Sequence, residues 1–186
     1  MKSWLGTFVK VGISSCLLGE KVRYDGSHKR NDLIIETLGV HFILVPFCPE
    51  VAIGMGVPRE PVQLVNGISQ RPEARGVFQP DHNFTVALKT YSDDLSPQIE
   101  LLSGYVFKSR SPSCGISSVD VYTRQGQPTG KTASGIFAGK IIASYPLLPV
   151  IEDDPLNNTK VREKFIERVF EYYHQQSRDI GREHSA

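Results

Sequence analysis

Three cysteines, Cys16, Cys48 and Cys114, are the side chains of this 186-residue chain best suited to chemistry. A thiolate is both a nucleophile and a soft metal ligand. An odd count at wide spacing argues against a secreted disulfide framework and leaves metal binding, nucleophilic catalysis or plain burial. Cys114 lies in the stretch Lys-Ser-Arg-Ser-Pro-Ser-Cys-Gly from Lys108 to Gly115, whose composition fits no regular element. Pro112 restricts Ser111 to extended geometry, Gly115 permits an unusual turn, and Ser109, Ser111 and Ser113 set hydroxyls around the thiol. Three thiolates at one site suit a soft metal or an iron-sulfur cluster, with a coordination position left open for substrate. Zinc with His28 as a fourth ligand is a variant, although no close Cys-x-x-Cys pair is present. Two other classes stay open. A Cys-His nucleophile would pair Cys114 with His28 or His82 and use one cysteine only. An anion- or nucleotide-binding module would bury all three thiols structurally and contact its ligand through the basic segment Arg23–Arg30.

For the cysteines to act together, the fold must gather them. Phe8–Ser14 reads as a buried strand running into Cys16, and Phe42–Phe47 as a strand covered on both faces running into Cys48. Tyr105–Lys108 reads as a third strand before Cys114. Between them, Asn31 or Asp32 caps a short helix to Leu38 with Leu33, Ile34 and Leu38 as its apolar stripe and Gly39 as its stop. Phe84–Leu102 repeats apolar residues at helical spacing and is divided at Pro97. Val62–Arg75 reads as an excursion turning at Asn66-Gly67, and Val119–Tyr122 with the Gln125-Gly126 turn as a small hairpin. Ser134–Ser144 follows as a helix with Ile136, Phe137, Ile141 and Ile142 inward, and Leu148–Ile151 as a last strand. Strands alternating with helices predict an α/β domain with a mostly parallel sheet, whose carboxyl ends share the edge where ligands bind. The three cysteines are expected on that edge.

Length and charge narrow the function further. About 150 residues per domain as a prior gives a single domain, taken here as residues 1–153. Residues 154–186 form a tail whose Asn158–Tyr173 stretch is an amphipathic helix with Val161, Phe165, Ile166, Val169, Phe170 and Tyr173 on one side, followed by a polar end fraying after Gln175. That helix either docks on the domain or meets a partner or second domain. A net charge of +1 provides no broad basic face for duplex nucleic acid. No apolar run approaches the roughly 20 residues of a membrane span, and a cytoplasmic protein is expected.

The motifs also carry a resemblance. Ser15-Cys16-Leu17-Leu18-Gly19 with Val22-Arg23-Tyr24-Asp25-Gly26, then Cys48-Pro49-Glu50 with Pro58-Arg59, then Ser111-Pro112-Ser113-Cys114-Gly115 resemble, in order, the motif set of the thiouracil desulfidase family. The likeness runs from about Val11 to Glu152. It implies a Rossmann-like fold and a 4Fe-4S cluster held by Cys16, Cys48 and Cys114, with one iron free of protein ligands. Tyr145-Pro146-Leu147-Leu148-Pro149-Val150 and the helix after it look like the longer branch of the family, associated with 4-thiouridine monophosphate.

The activity so implied is a non-redox desulfidase, a hydrolase releasing hydrogen sulfide from a small thiolated pyrimidine, either 4-thio-UMP or thiouracil. The open iron would act as a Lewis acid on the thiocarbonyl sulfur. Glu50, two residues after Cys48, would serve as general acid/base, and Ser111 would pass or orient a proton, as the family assigns at matching positions. Ser15 and Ser113 would donate to cluster sulfurs or substrate. Arg23, Lys29, Arg30, Arg59 and Lys108 are the charges expected near a nucleotide phosphate, Arg23 and Arg59 foremost.

Overall fold

The computed structural model describes residues 9–67 and 71–183; Phe8, expected to open the first strand, and residues 184–186 of the tail lie outside the described residues. In chain order the elements are β1 (Lys10–Ser14), α1 (Asp32–Leu38), β2 (Ile43–Phe47), α2 (Pro49–Ala52), β3 (Val62–Asn66), β4 (Pro72–Gly76), α3 (Thr85–Asp94), α4 (Ser96–Ile99), β5 (Gly104–Phe107), β6 (Val119–Tyr122), β7 (Pro128–Ala133), α5 (Ile136–Ser144), β8 (Val150–Glu152) and α6 (Thr159–Glu183). Four strands make one sheet in the order β2-β1-β5-β8, parallel at every pairing. The chain is thus an α/β domain, and the carboxyl ends of β1, β2, β5 and β8 share one edge.

Side-chain alternation along β5 divides the core into two layers. Val106 faces Val11, Ile13, Ile34, Leu38, Phe165 and Val169, whereas Tyr105 and Phe107 face Phe47, Leu95, Ile99, Phe137 and Ile141. Gly12 of β1 lies opposite Tyr105, and a Cβ there would stand 2.4 Å from that ring, so the flat packing of Tyr105 on β1 requires glycine. The α1 cap is Asn31, whose side chain accepts from the Ile34 amide at 3.2 Å. Ile34 and Leu38, four apart, carry the burial of that helix, while Leu33 points outward at 38% exposure.

Three expectations are corrected. β2 is an edge strand among the described residues, not one covered on both faces: Ile43 is 43% exposed, and Pro46, which cannot donate to a ladder, is tolerated because no described strand pairs on the far side. The two small hairpins are one sheet. β3 and β4 pair antiparallel, β6 and β7 pair antiparallel, and the parallel pairing of β3 with β6 joins them in the order β4-β3-β6-β7. A lone two-stranded hairpin is marginal in water; joining two closes an edge of each and buries Leu64, Ala74, Val119 and Val121 against Leu88 and Ile136. Finally, α6 does not fray at Gln175 but stays helical to Glu183, and its Phe165 and Val169 dock on the parallel sheet. Val169 approaches so closely that a Cβ on Gly104 would lie 2.7 Å from it. No helix among the described residues is long and apolar enough to cross a membrane.

Candidate active site at the carboxyl edge of the parallel sheet

Each cysteine enters the same cavity on a turn that its strand launches. β1 ends at Ser14, and a 3-10 turn, Ser15–Leu18, carries Cys16 before Gly19 closes it with φ 96°. The polar loop that follows is laced back onto this turn, the Lys29 amide donating to the Cys16 carbonyl at 2.8 Å and the Asn31 amide to the Leu17 carbonyl at 3.0 Å. β2 ends at Phe47, and Cys48 caps the short α2, with Pro49 in its first turn. The Cys114 loop is pinned by the start of α5. Ile136 and Ala138 amides donate to the Pro112 and Ser113 carbonyls, both at 3.0 Å, and the Gly135 amide to the Gly115 carbonyl at 2.8 Å. Gly135 must be glycine for this contact, because a Cβ would sit 2.6 Å from the Ser113 carbonyl carbon.

The cavity has a volume of about 700 Å³ and is lined by all three cysteines, by Ser15, Glu50 and Ser111, and by six cations, Arg23, Lys29, Arg30, Arg59, Lys108 and Arg110, against the carboxylates Glu50, Asp153 and Asp154. Cys16 and Cys48 are half-buried, Cys114 is buried, and none is in a disulfide. Burial pushes the Cys16 thiol up to about 11, Cys48 adding to the rise while Lys108 and Arg23 oppose it. Burial likewise raises Cys48, and burial with the Glu50 charge raises Cys114 well above its ordinary value. Without a cation the three are therefore neutral thiols at pH 7, and metal binding must displace their protons.

The donor set fits an iron-sulfur cluster better than a single ion. Among the described residues, no group of three or more His, Cys, Asp and Glu is arranged to hold one metal ion. A cluster spreads its thiolates over separate irons, and three soft donors around a roomy cavity suit one with an open position. His28 and His82 do not line the cavity: His28 Nδ1 accepts from the Arg30 amide at 3.2 Å, and His82 pairs with Glu60 at 2.6 Å. Neither a zinc site completed by His28 nor a Cys114-His nucleophile has its imidazole in place.

The other expected residues divide by what they touch. The Ser111 Oγ accepts the Cys114 amide at 3.1 Å and the Ser113 amide at 3.4 Å, which leaves its own O–H for the cavity. Ser113 does not line the cavity; fully buried, it donates to Glu50 Oε1 at 2.8 Å. Arg59 is committed to Glu50, with Nη2 2.6 Å and Nε 3.0 Å from Oε2. Lys108 is committed to Asp153 at 2.8 Å. Nearer solvent, Arg23 lies 3.6 Å from Asp25 and over the Tyr24 ring, and Arg30 pairs with Asp32 at 2.7 Å. Lys29 has no carboxylate partner among the described residues.

Asp153, Ser14 and Arg110 carry no role in the sequence analysis, and Ser109, expected near the thiol, turns instead to Asp153. Asp153 is buried and accepts both the amide and the hydroxyl of Ser109, at 2.7 and 2.6 Å, besides Lys108. It follows β8 as the cysteines follow β1, β2 and β5, so applying the strand-end rule to the fourth strand would have found it. Ser14 accepts the Lys108 amide at 2.9 Å and ties β1 to the Cys114 loop. Arg110, with φ 59°, is the sole non-glycine in the left-handed region among the described residues, which no sequence signal announced.

Comparisons with known proteins place the chain by sequence and fold. The uncharacterized protein YbbK of Bacillus subtilis (strain 168) is 29% identical over 157 residues, covering 78% of this chain and 97% of that protein. The solved structure of the 4Fe-4S-dependent thiouracil desulfidase TudS superposes with a TM-score of 0.58 at 27% identity, covering 80% of this chain and 93% of that one. The family model of 2-thiouracil desulfurase matches residues 11–153, the span that holds all three cysteines and all but the first residue of the two sheets, and the chain belongs to that family.

Proposed function

We propose that this chain is a desulfidase acting on a small thiolated pyrimidine, with Cys16, Cys48 and Cys114 holding a 4Fe-4S cluster. One observation carries the reading: three cysteines remote in sequence reach a single cavity from the ends of three adjacent parallel strands, and Glu50 lines that cavity with them. Family membership and the desulfidase neighbour support it. Free thiols kept for a metal suit a reducing compartment such as the cytoplasm.

When bound, the cluster supplies a soft Lewis-acidic iron that favours the substrate's thiocarbonyl sulfur over an oxygen. The chain itself handles water and protons. Glu50 takes a proton from the attacking water as its oxygen bonds to the thiolated ring carbon. The C–S bond then breaks with its electron pair on sulfur, and Ser111, through its uncommitted O–H, relays a proton to the ring nitrogen or the departing sulfur. Thiocarbonyl and water become carbonyl and hydrogen sulfide, with no change in oxidation state overall.

The finer reading is a nucleotide, 4-thio-UMP. Cations outnumber carboxylates on the cavity wall, and Arg23, Lys29 and Arg30 stand toward solvent, where a phosphate would remain half-hydrated. Anaerobic purification with iron and sulfide analysis tests the cofactor, with about four irons per chain expected. Hydrogen sulfide release from 4-thio-UMP and from 2-thiouracil tests the substrate. A protein that stays free of iron after anaerobic reconstitution overturns the cluster, and a higher kcat/KM for 2-thiouracil overturns the nucleotide.

A further inference from the structure

Arg59 was expected among the charges for a substrate phosphate, and the fold employs it otherwise. Its side chain is only 5% exposed. Nε and Nη2 both donate to Glu50 Oε2, Nη2 also donates to the Val22 carbonyl at 2.9 Å, and Nη1 donates to the Gly56 carbonyl at 2.8 Å. A guanidinium so committed has little donor capacity left for a ligand. The other oxygen of Glu50 is held as well, by the Ser113 hydroxyl at 2.8 Å.

We propose that Arg59 and Ser113 are positioning residues for Glu50: they fix its carboxylate toward the cavity, and neither contacts substrate. This rests on the assignment of Glu50 as general acid/base. A carboxylate has about four lone-pair sites. Arg59 fills both on Oε2, and Ser113 fills one on Oε1, so Oε1 is the oxygen left to take a proton. Rotation of the carboxyl is blocked from two sides, by the guanidinium on one oxygen and the Ser113 hydroxyl on the other, which holds a reacting group in orientation. The anchors come from all three cysteine-bearing segments. Val22 lies in the loop after Cys16, and its carbonyl also faces the Cys48 Sγ at 3.9 Å. Glu50 follows Cys48 by two residues, and Ser113 directly precedes Cys114. The loops that bring the thiols together therefore also aim the carboxylate.

The test is a double-mutant cycle on the iron-loaded protein, combining Arg59→Lys or Ser113→Ala with Glu50→Gln. Each single variant is expected to keep its iron and to lower kcat by roughly 10- to 100-fold, the scale of a misplaced reacting group. In the Glu50→Gln background neither change should cost more than about twofold, because groups acting as one unit are not additive. The ratio of KM for 4-thio-UMP to KM for 2-thiouracil should stay constant. Multiplicative losses, or a KM rise confined to 4-thio-UMP in Arg59→Lys, overturn the proposal. Thermal unfolding of the same variants gives a readout independent of turnover. The Tm loss from Arg59→Lys should shrink when Glu50 is already Gln, and additive Tm losses overturn the coupling. If no thiolated pyrimidine is turned over, the desulfidase reading fails while the thermal cycle still decides whether Arg59 and Ser113 act through Glu50. If Arg59→Lys does not fold, Ser113→Ala, which leaves the ion pair intact, carries both measurements.

Discussion

At the scale of single residues, the proposed function divides the site into groups that would bind metal, groups that would move protons and groups that would hold others still. In the proposed mechanism Glu50 handles the proton, so Glu50→Gln should retain full iron content and lose roughly 10²- to 10⁴-fold in kcat, read by iron analysis and hydrogen sulfide release on one preparation. A variant that turns over normally would remove Glu50 from the mechanism. Tyr105 presents a different problem. Its hydroxyl is the one buried side-chain polar atom without a hydrogen-bond partner among the described residues, while its ring stacks on Phe107 at 4.0 Å. An unsatisfied buried hydroxyl costs about 1–3 kcal/mol, and phenylalanine keeps the ring. Tyr105→Phe should therefore leave the metal-free protein as stable or raise its Tm, measured by thermal unfolding; a fall in Tm would mean that the hydroxyl has a partner, such as a buried water.

At the scale of elements, the site is as stable as the contacts between its loops and the two sheets. The start of α5 grips the Cys114 loop through three backbone hydrogen bonds, and Gly135 allows the approach. Gly135→Ala places a methyl against the Ser113 and Cys114 backbone, an overpacking expected to cost about 1–3 kcal/mol. Because strain at that point moves a thiol, iron loading should fall along with Tm, whereas destabilisation with normal iron content would show that the grip does not govern the site. The C-terminal helix belongs to the same core. Phe165 of α6 is buried beside Leu38 and Val106, and Phe165→Ala should destabilise by about 3–5 kcal/mol in chemical denaturation. A loss below 1 kcal/mol would mean that α6 contributes little to holding the sheet.

At the scale of the molecule, a chain of net charge +1 places six of its 21 Lys and Arg side chains around one cavity, against three carboxylates. A field of that kind attracts an anionic ligand and weakens as salt screens it over about 10 Å at 0.1 M. For a nucleotide substrate, KM for 4-thio-UMP should rise with ionic strength while KM for uncharged 2-thiouracil stays flat. Parallel curves would remove the phosphate from the argument.

The sequence by itself determined the local pieces, because each was written in adjacent residues. The alternation of apolar runs with capped helical stretches marked β1, β2 and β5, and the strand-end rule then brought Cys16, Cys48 and Cys114 to one edge without any long-range information. Glu50 and Ser111 came from their place beside those cysteines together with the family resemblance, and the basic loop from its composition. What the tertiary structure decided was pairing. Nothing local tells β3 that its parallel neighbour is β6, or β2 that it is an edge, since register and neighbour choice depend on which strands compete for each open face. The same holds within the site. Arg59 and Ser113 read as substrate contacts from motif proximity, yet an arginine takes the strongest acceptor within reach once folding brings it there, and that acceptor is Glu50. Asp153 took its place only when β8 aligned with β5 and carried a carboxylate to the edge that the three thiols already shared.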